Sequence, residues 1–276
     1  MTGTSNDSSP DLAGIRHKPT IKLCHQTGQV PDAAPQWLTP HERERFAGFS
    51  GTHASEFLTS RWLIRQALSR ASALEPSQCW PAEGRPTTSA SPAGWHLSLS
   101  HSHGLSACST QFGSALGIDI EPSKRHPQWQ KVVKRWFSPI EQEWLFQEDD
   151  PHMFLRAWTL KEAWLKATGR GIAGNLQTLE VRRGFELYGD QPDDQWQACC
   201  FYIEGFLGTL VYRQTADGSL DGSPDGSPNG SPDDAPRPWP RITLLEPPPE
   251  DYSLSETEPM DVHWEPMFQR KIHAKC

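Results

Sequence analysis

Gly117-Ile118-Asp119-Ile120-Glu121 is followed by Trp158-Thr159-Leu160-Lys161-Glu162-Ala163-Trp164-Leu165-Lys166, with Lys161 42 residues beyond Asp119. The first stretch alternates with the period of two that a strand needs, which puts Asp119 and Glu121 on one face. Two carboxylates side by side repel each other unless a proton or cation lies between them. Oxygen-only donors suit a hard ion such as magnesium. The same residues also fit an exposed strand end carrying two solvated acids. The second stretch lies in a helical pattern. Glu162 and Lys166, spaced i, i+4, share a face, and Lys161 points about 100° away. Taken alone, Glu162 and Lys166 also read as an ordinary surface ion pair.

Outward from these stretches the pattern changes period several times. Upstream, Thr39-Pro40 supplies an N-cap and a first-turn proline for one helix, and a second runs from about His53 to Ala73 with Arg61 and Arg65 one turn apart. Glu83-Gly84-Arg85-Pro86 reads as a turn. Trp95–Ser100, Leu105–Phe112 and Ala115–Ile120 alternate as strands. Helices are expected over Pro127–Phe137, Pro139–Gln147 and Pro151–Thr168, then strands over Leu176–Arg183, Trp196–Ile203 and Gly208–Arg213. This order of helix, strands, helices and strands is an α+β pattern, in two halves, 19–116 and 117–215, that meet near Gly117.

The 276 residues are 36% hydrophobic and 22% charged, with a formal net charge of −8. An acidic chain of this kind argues against nucleic-acid binding. No apolar run is long enough to span a membrane, and residues 1–18 have neither the apolar core nor the basic leader of a signal peptide, so they are expected as a flexible N-terminus. Six cysteines without CxxC spacing fit reduced thiols in a cytoplasm. The charge is uneven: residues 216–268 hold twelve acids against Arg237 and Arg241. Residues 216–240 contain the repeat GSPDGSPNGSPDD (222–234) and read as a disordered linker. Residues 241–246 suggest a returning strand, and 247–276 an acidic, proline-rich tail with at most an amphipathic turn at 264–272.

His96, His101 and His103 do not make a zinc site, because His96 faces oppositely to the strand-end residues and no cysteine is spaced to help. Residues 122–140 contain Lys124, Arg125, Lys131, Lys134 and Arg135 and no acid, interleaved with Trp129, Val132, Val133, Trp136 and Phe137. Such a patch would steer an acidic partner protein. It is also what an amphipathic helix with its apolar side in the core looks like.

In order along the chain, Gly84-Arg85-Pro86, Ser98-Leu99-Ser100-His101-Ser102, the G-I-D-I-E stretch and the W-x-x-K-E-A-x-x-K stretch resemble the 4′-phosphopantetheinyl transferase superfamily over about residues 38–213. The upstream elements and Glu121 resemble its two-lobed, surfactin-synthetase-activating (Sfp) type. That resemblance implies two similar α/β lobes related by pseudo-two-fold symmetry, with the active site between them and a monomer as the working unit. It implies transfer of the phosphopantetheine arm of coenzyme A to a serine of an acidic apo carrier protein, releasing adenosine 3′,5′-bisphosphate. By resemblance Asp119, Glu121 and Glu162 hold magnesium, Glu162 or a water it orients takes the serine proton, and Lys166 neutralises charge on the leaving group. Ser100 and His101 would contact coenzyme A phosphates, Arg85 and Pro86 would frame the adenine end, and Lys161 would reach a phosphate or brace its helix. The basic residues usual at the start of the long first helix are missing, and His53 stands in their place for the 3′-phosphate. A non-catalytic module that binds coenzyme A or carrier proteins is the alternative.

Overall fold

The computed structural model describes residues 18–84, 87–124, 128–193, 195–214, 239–255, 257–260 and 262–275. Residues 1–17, Arg85, Pro86 and the linker segment 215–238 lie outside the described residues.

In chain order the main elements are β1 (Thr20–His25), α1 (Pro40–Ala47), α2 (Gly51–Ser72), β2 (Trp80–Pro81), β3 (Ser89–Ser91), β4 (Trp95–Ser102), β5 (Leu105–Phe112) and β6 (Leu116–Pro122). Helices α3 (Trp129–Trp136), α4 (Pro139–Glu148) and α5 (Pro151–Ala167) follow, then β7 (Leu179–Arg182), β8 (Glu186–Gly189), β9 (Trp196–Ile203) and β10 (Phe206–Arg213). Three late strands complete the fold: β11 (Arg241–Leu245), β12 (Pro259–Met260) and β13 (Trp264–Ala274). The expected α+β class is what is observed.

Two sheets, ordered β12-β11-β1-β5-β4 and β6-β10-β9-β13-β8-β7, pack against each other. Ile21, Leu23, Leu105 and Ala107 of the first meet Ile118, Ile120, Phe201 and Leu210 of the second in one buried cluster. Helix α2 covers the outer side of the first sheet through Leu58, Trp62 and Leu68. Helices α3–α5 cover the second through Val133, Leu145, Leu160 and Trp164. The result is a helix–sheet–sheet–helix stack held by three apolar clusters.

The proline starts are physically justified. Thr39 and Glu42 form a reciprocal capping box around Pro40 in α1, and Ser138 and Glu141 do the same around Pro139 in α4. Glu42 does more than cap. Its carboxylate also receives Arg65 Nη2 at 2.6 Å and pairs with Arg61 Nε at 3.2 Å, so it locks α1 onto α2 below the surface.

The segment after 240 departs from the expected tail. β11 does return, in parallel with β1. Beyond it, Tyr252 is fully buried, and Trp62, Gln66 and Arg70 of α2 donate to the carbonyls of Ser253, Ser255 and Thr257. The match is geometric. Four residues of helix advance about 6 Å and two residues of extended chain about 6.6 Å, so donors at i, i+4, i+8 meet every second carbonyl. The chain then crosses to the second sheet, where β13 lies between β9 and β8. Thus 247–276 are not a tail, and 264–272 are not a helical turn. Arg270 and Lys271 together with Pro266, which sits at a register shift, disguise β13 as polar coil in the sequence.

Candidate active site

Strand β4 ends the first sheet and β6 ends the second, and the two edges meet. An unpaired sheet edge leaves backbone N–H groups that need partners. Here serines of β4 supply them: Ser98 Oγ accepts from the Ile118 amide at 3.0 Å, and Ser100 Oγ from the Ile120 amide at 3.2 Å. The corner between the sheets is therefore stitched by side chains.

Helix α5 reaches this corner because of Gly117. A Cβ there would fall on the Ala163 carbonyl oxygen and the Ala167 amide nitrogen, so only glycine lets α5 lie directly on β6. That close approach brings Lys166 Nζ to 2.9 Å from both Asp119 Oδ1 and the Ile118 carbonyl. Ser100 Oγ donates to the same Asp119 oxygen at 3.0 Å, and Ser102 Oγ donates to Glu121 Oε2 at 2.9 Å. Burial pushes the Asp119 carboxyl upward, and the Lys166 ammonium pulls against it.

Asp119, Glu121, Glu162, Lys166, Ser100 and His101 line one cavity of about 760 Å³. The structure thus brings Asp119, Glu121, Glu162 and Lys166 together on one wall. Asp119 Oδ2 is buried and without a hydrogen-bond partner. Among the described residues no three His, Cys, Asp or Glu side chains are drawn into a preformed metal cage. The donor set still fits a magnesium ion: one orphaned carboxylate oxygen and two further carboxylates on the same cavity wall are hard ligands that a cation would satisfy.

Lys161 is elsewhere. It is 0% exposed, 2.6 Å from Glu141 Oε1, and donates to the carbonyls of Leu176 and Leu179. Of its two expected roles, contact with a phosphate is excluded by this burial and bracing of the helix is what it does. Burial lowers its pKa and the Glu141 carboxylate raises it again, with burial the larger effect. Arg85 and Pro86 lie outside the described residues, but Gly84 accepts from Arg45 Nη1 at 3.4 Å. His53 lines the cavity mouth with an exposed ring.

Several wall residues were not anticipated: Arg45, Phe49, Ser60 and Trp158, with Arg61 as a fourth cationic or aromatic group whose role was open. Arg61 lines the cavity with its guanidinium stacked 4.6 Å from the Phe57 ring centre, while its Nε pairs with Glu42. Arg45 sits in the run Glu-Arg-Glu-Arg, which looks like plain helix surface. The period-two row Ser98, Ser100, Ser102 was the one signal available for the stitching serines.

In α3, Trp129 and Val133, with Phe137 just beyond, are core, while Lys131, Lys134 and Arg135 face solvent. The apolar members of the patch are therefore packed internally, while Lys124, Lys131, Lys134 and Arg135 are exposed and Arg125 lies outside the described residues. No helix among the described residues is long and apolar enough to cross a membrane.

Comparison with known proteins agrees with this geometry. Residues 115–211 match the family profile of the 4′-phosphopantetheinyl transferase superfamily. The chain is 30% identical over 184 residues to a Synechocystis protein provisionally named as a 4′-phosphopantetheinyl transferase, covering 57% of this chain and 73% of that one. It is 34% identical over 137 residues to the 4′-phosphopantetheinyl transferase HetI of Nostoc, covering 47% and 57%. It is 29% identical over 153 residues to the 4′-phosphopantetheinyl transferase Sfp of Bacillus subtilis, covering 53% and 66%. The matches to HetI and Sfp thus span less than two thirds of those relatives. The chain belongs to the 4′-phosphopantetheinyl transferase superfamily.

Proposed function

We propose that this protein transfers the 4′-phosphopantetheine group of coenzyme A to a serine of an acidic apo carrier protein, at the corner between the sheets. The observation that carries this reading is the convergence of Asp119, Glu121, Glu162 and Lys166 on one cavity wall. Transfer requires a neutral hydroxyl to attack an anionic pyrophosphate, so the site must neutralise charge, orient the reactants and remove a proton. Asp119, Glu121 and Glu162 are the residues that would hold magnesium, which when bound supplies charge neutralisation at the pyrophosphate. Glu162, one helical turn from Lys166, takes the proton of the serine hydroxyl. Lys166 balances the negative charge left on the departing phosphate. His101 and Ser100 approach the phosphates, and Arg45, with His53 and Arg61 beside it on the wall, offers a cation to the 3′-phosphate. Arg85 and Pro86 frame the adenine.

The carrier protein is steered by Lys131, Lys134 and Arg135 on α3. The two helix-covered sheets act as the two lobes of the Sfp type, related by pseudo-two-fold symmetry, with magnesium as the cofactor and a monomer as the working unit. A cytoplasmic setting is supported by Cys24, Cys79, Cys108, Cys199 and Cys200, all unpaired and buried.

The test is to incubate the protein with coenzyme A, magnesium and several apo carrier proteins and weigh the products. A carrier gaining the mass of one phosphopantetheine arm is expected, and Glu162→Gln and Asp119→Ala should abolish the gain while leaving the fold intact. A protein that binds coenzyme A yet modifies no carrier would be the non-catalytic module instead.

A further inference from the structure

We propose that Ser102 is a positioning residue that sets Glu121 from the opposite sheet, so that the acid geometry of the site depends on the β4–β6 corner. The inference rests on the transferase reading above and adds to it a residue outside the acid–lysine set. Ser102 Oγ carries a single hydrogen, and it donates to Glu121 Oε2 at 2.9 Å. The same oxygen lies 3.0 Å from His103 Nδ1. With its only hydrogen committed to the carboxylate, Ser102 must accept from the ring, so His103 carries its proton on Nδ1. Ser102 is thus held from both sides.

The turn makes this hold rigid. His103 and Gly104 have φ of 47° and 84°, the two left-handed positions of a tight hairpin joining β4 to β5. A histidine rarely occupies the first of these, and here its ring is anchored on Ser102 in return. One step back along β4, Ser100 repeats the arrangement, donating to Asp119 while accepting from the Ile120 amide. A further step back, Ser98 holds the Ile118 amide. Three hydroxyls spaced two residues apart on one strand therefore address residues 118–121 of the other, and two of the three aim a site carboxylate. Groups behind the ligands of a metal commonly alter its affinity tenfold or more when removed.

Magnesium ions alone should be titrated calorimetrically into the full chain and into Ser102→Ala and Ser102→Thr. Ser102 is partly exposed at a strand end, and the melting midpoint without metal should be the same in all three. Ser102→Ala should bind magnesium about tenfold more weakly and Ser102→Thr like wild type. In the transfer assay Ser102→Ala should need about tenfold more magnesium for half-maximal rate, with kcat recovered at saturating metal and the KM for coenzyme A unmoved. Equal magnesium affinity in wild type and Ser102→Ala overturns the inference, as does a loss that Ser102→Thr does not restore. A wild type that binds magnesium but modifies no carrier overturns the functional reading and leaves Ser102 to be judged by calorimetry. A wild type that binds no magnesium overturns the inference about Ser102, while the functional reading stands or falls on the carrier mass gain.

Discussion

Lys161 and Glu141 form an ion pair of 2.6 Å in which neither side chain reaches solvent. Glu141 also caps Ser138 and accepts from the Val181 amide at 2.8 Å, so one carboxylate fastens α4, α5 and β7 together. Removing one member of such a pair strands the other as an uncompensated buried charge. Lys161→Met should therefore lower stability by about 3–5 kcal/mol in chemical denaturation. Coenzyme A affinity, measured by calorimetry on the variant that remains folded, should stay within about twofold of wild type. Wild-type stability with weakened coenzyme A binding would return Lys161 to a phosphate contact.

Lys22 is a second buried lysine, with no carboxylate partner among the described residues. Its ammonium donates to Thr243 Oγ1 at 3.0 Å, while burial and then the Arg241 and Arg70 guanidinium groups push its pKa down to about 8. A lysine with a lowered folded pKa penalises folding fully below that pKa, and the penalty fades as pH climbs from about 8 toward the unfolded value of 10.5. Lys22→Met should accordingly stabilise the protein by about 1–2 kcal/mol at pH 7. Denaturation midpoints at pH 7 and pH 9.5 should show that gain shrinking at the higher pH. A gain that stays constant would show that the charge is not its source.

Gly117→Ala tests the contact that assembles the site. Because the added methyl would strike backbone atoms of α5, which cannot rotate away, the helix and β6 must separate. A loss of about 1–3 kcal/mol is expected, with magnesium affinity falling in the same variant because α5 carries Glu162 away from Asp119 and Glu121 on β6. A variant that melts lower but binds magnesium as wild type does would show that the close approach serves stability alone.

The acids and Lys166 were legible because each is placed by the period of its own element: two along β6, close to four along α5. What the chain could not reveal alone was which other element each face would meet. Lys161 is one residue from Glu162, yet its role depends on α4 and β7 packing behind it. The bond from Ser100 to Asp119 was hidden for the same reason, because that partner belongs to another sheet. β13 was missed for a related reason, since one of its faces is partly solvated and its charges conceal a strand that is paired on both sides. The fold class survived these errors, because it depends on the order of elements and not on their partners.

Late strands have a consequence for how the protein is made. β1 must wait for β11, more than two hundred residues later, and β9 must wait for β13 before its second edge is covered. A growing chain that has emerged only as far as residue 214 therefore presents two open sheet edges on the ribosome. Neither half is complete until those later strands have been made. The acid cluster is complete in the sequence by Lys166, but the frame that holds it closes only once β11 and β13 have taken their places, so each half depends on strands made long after its own core.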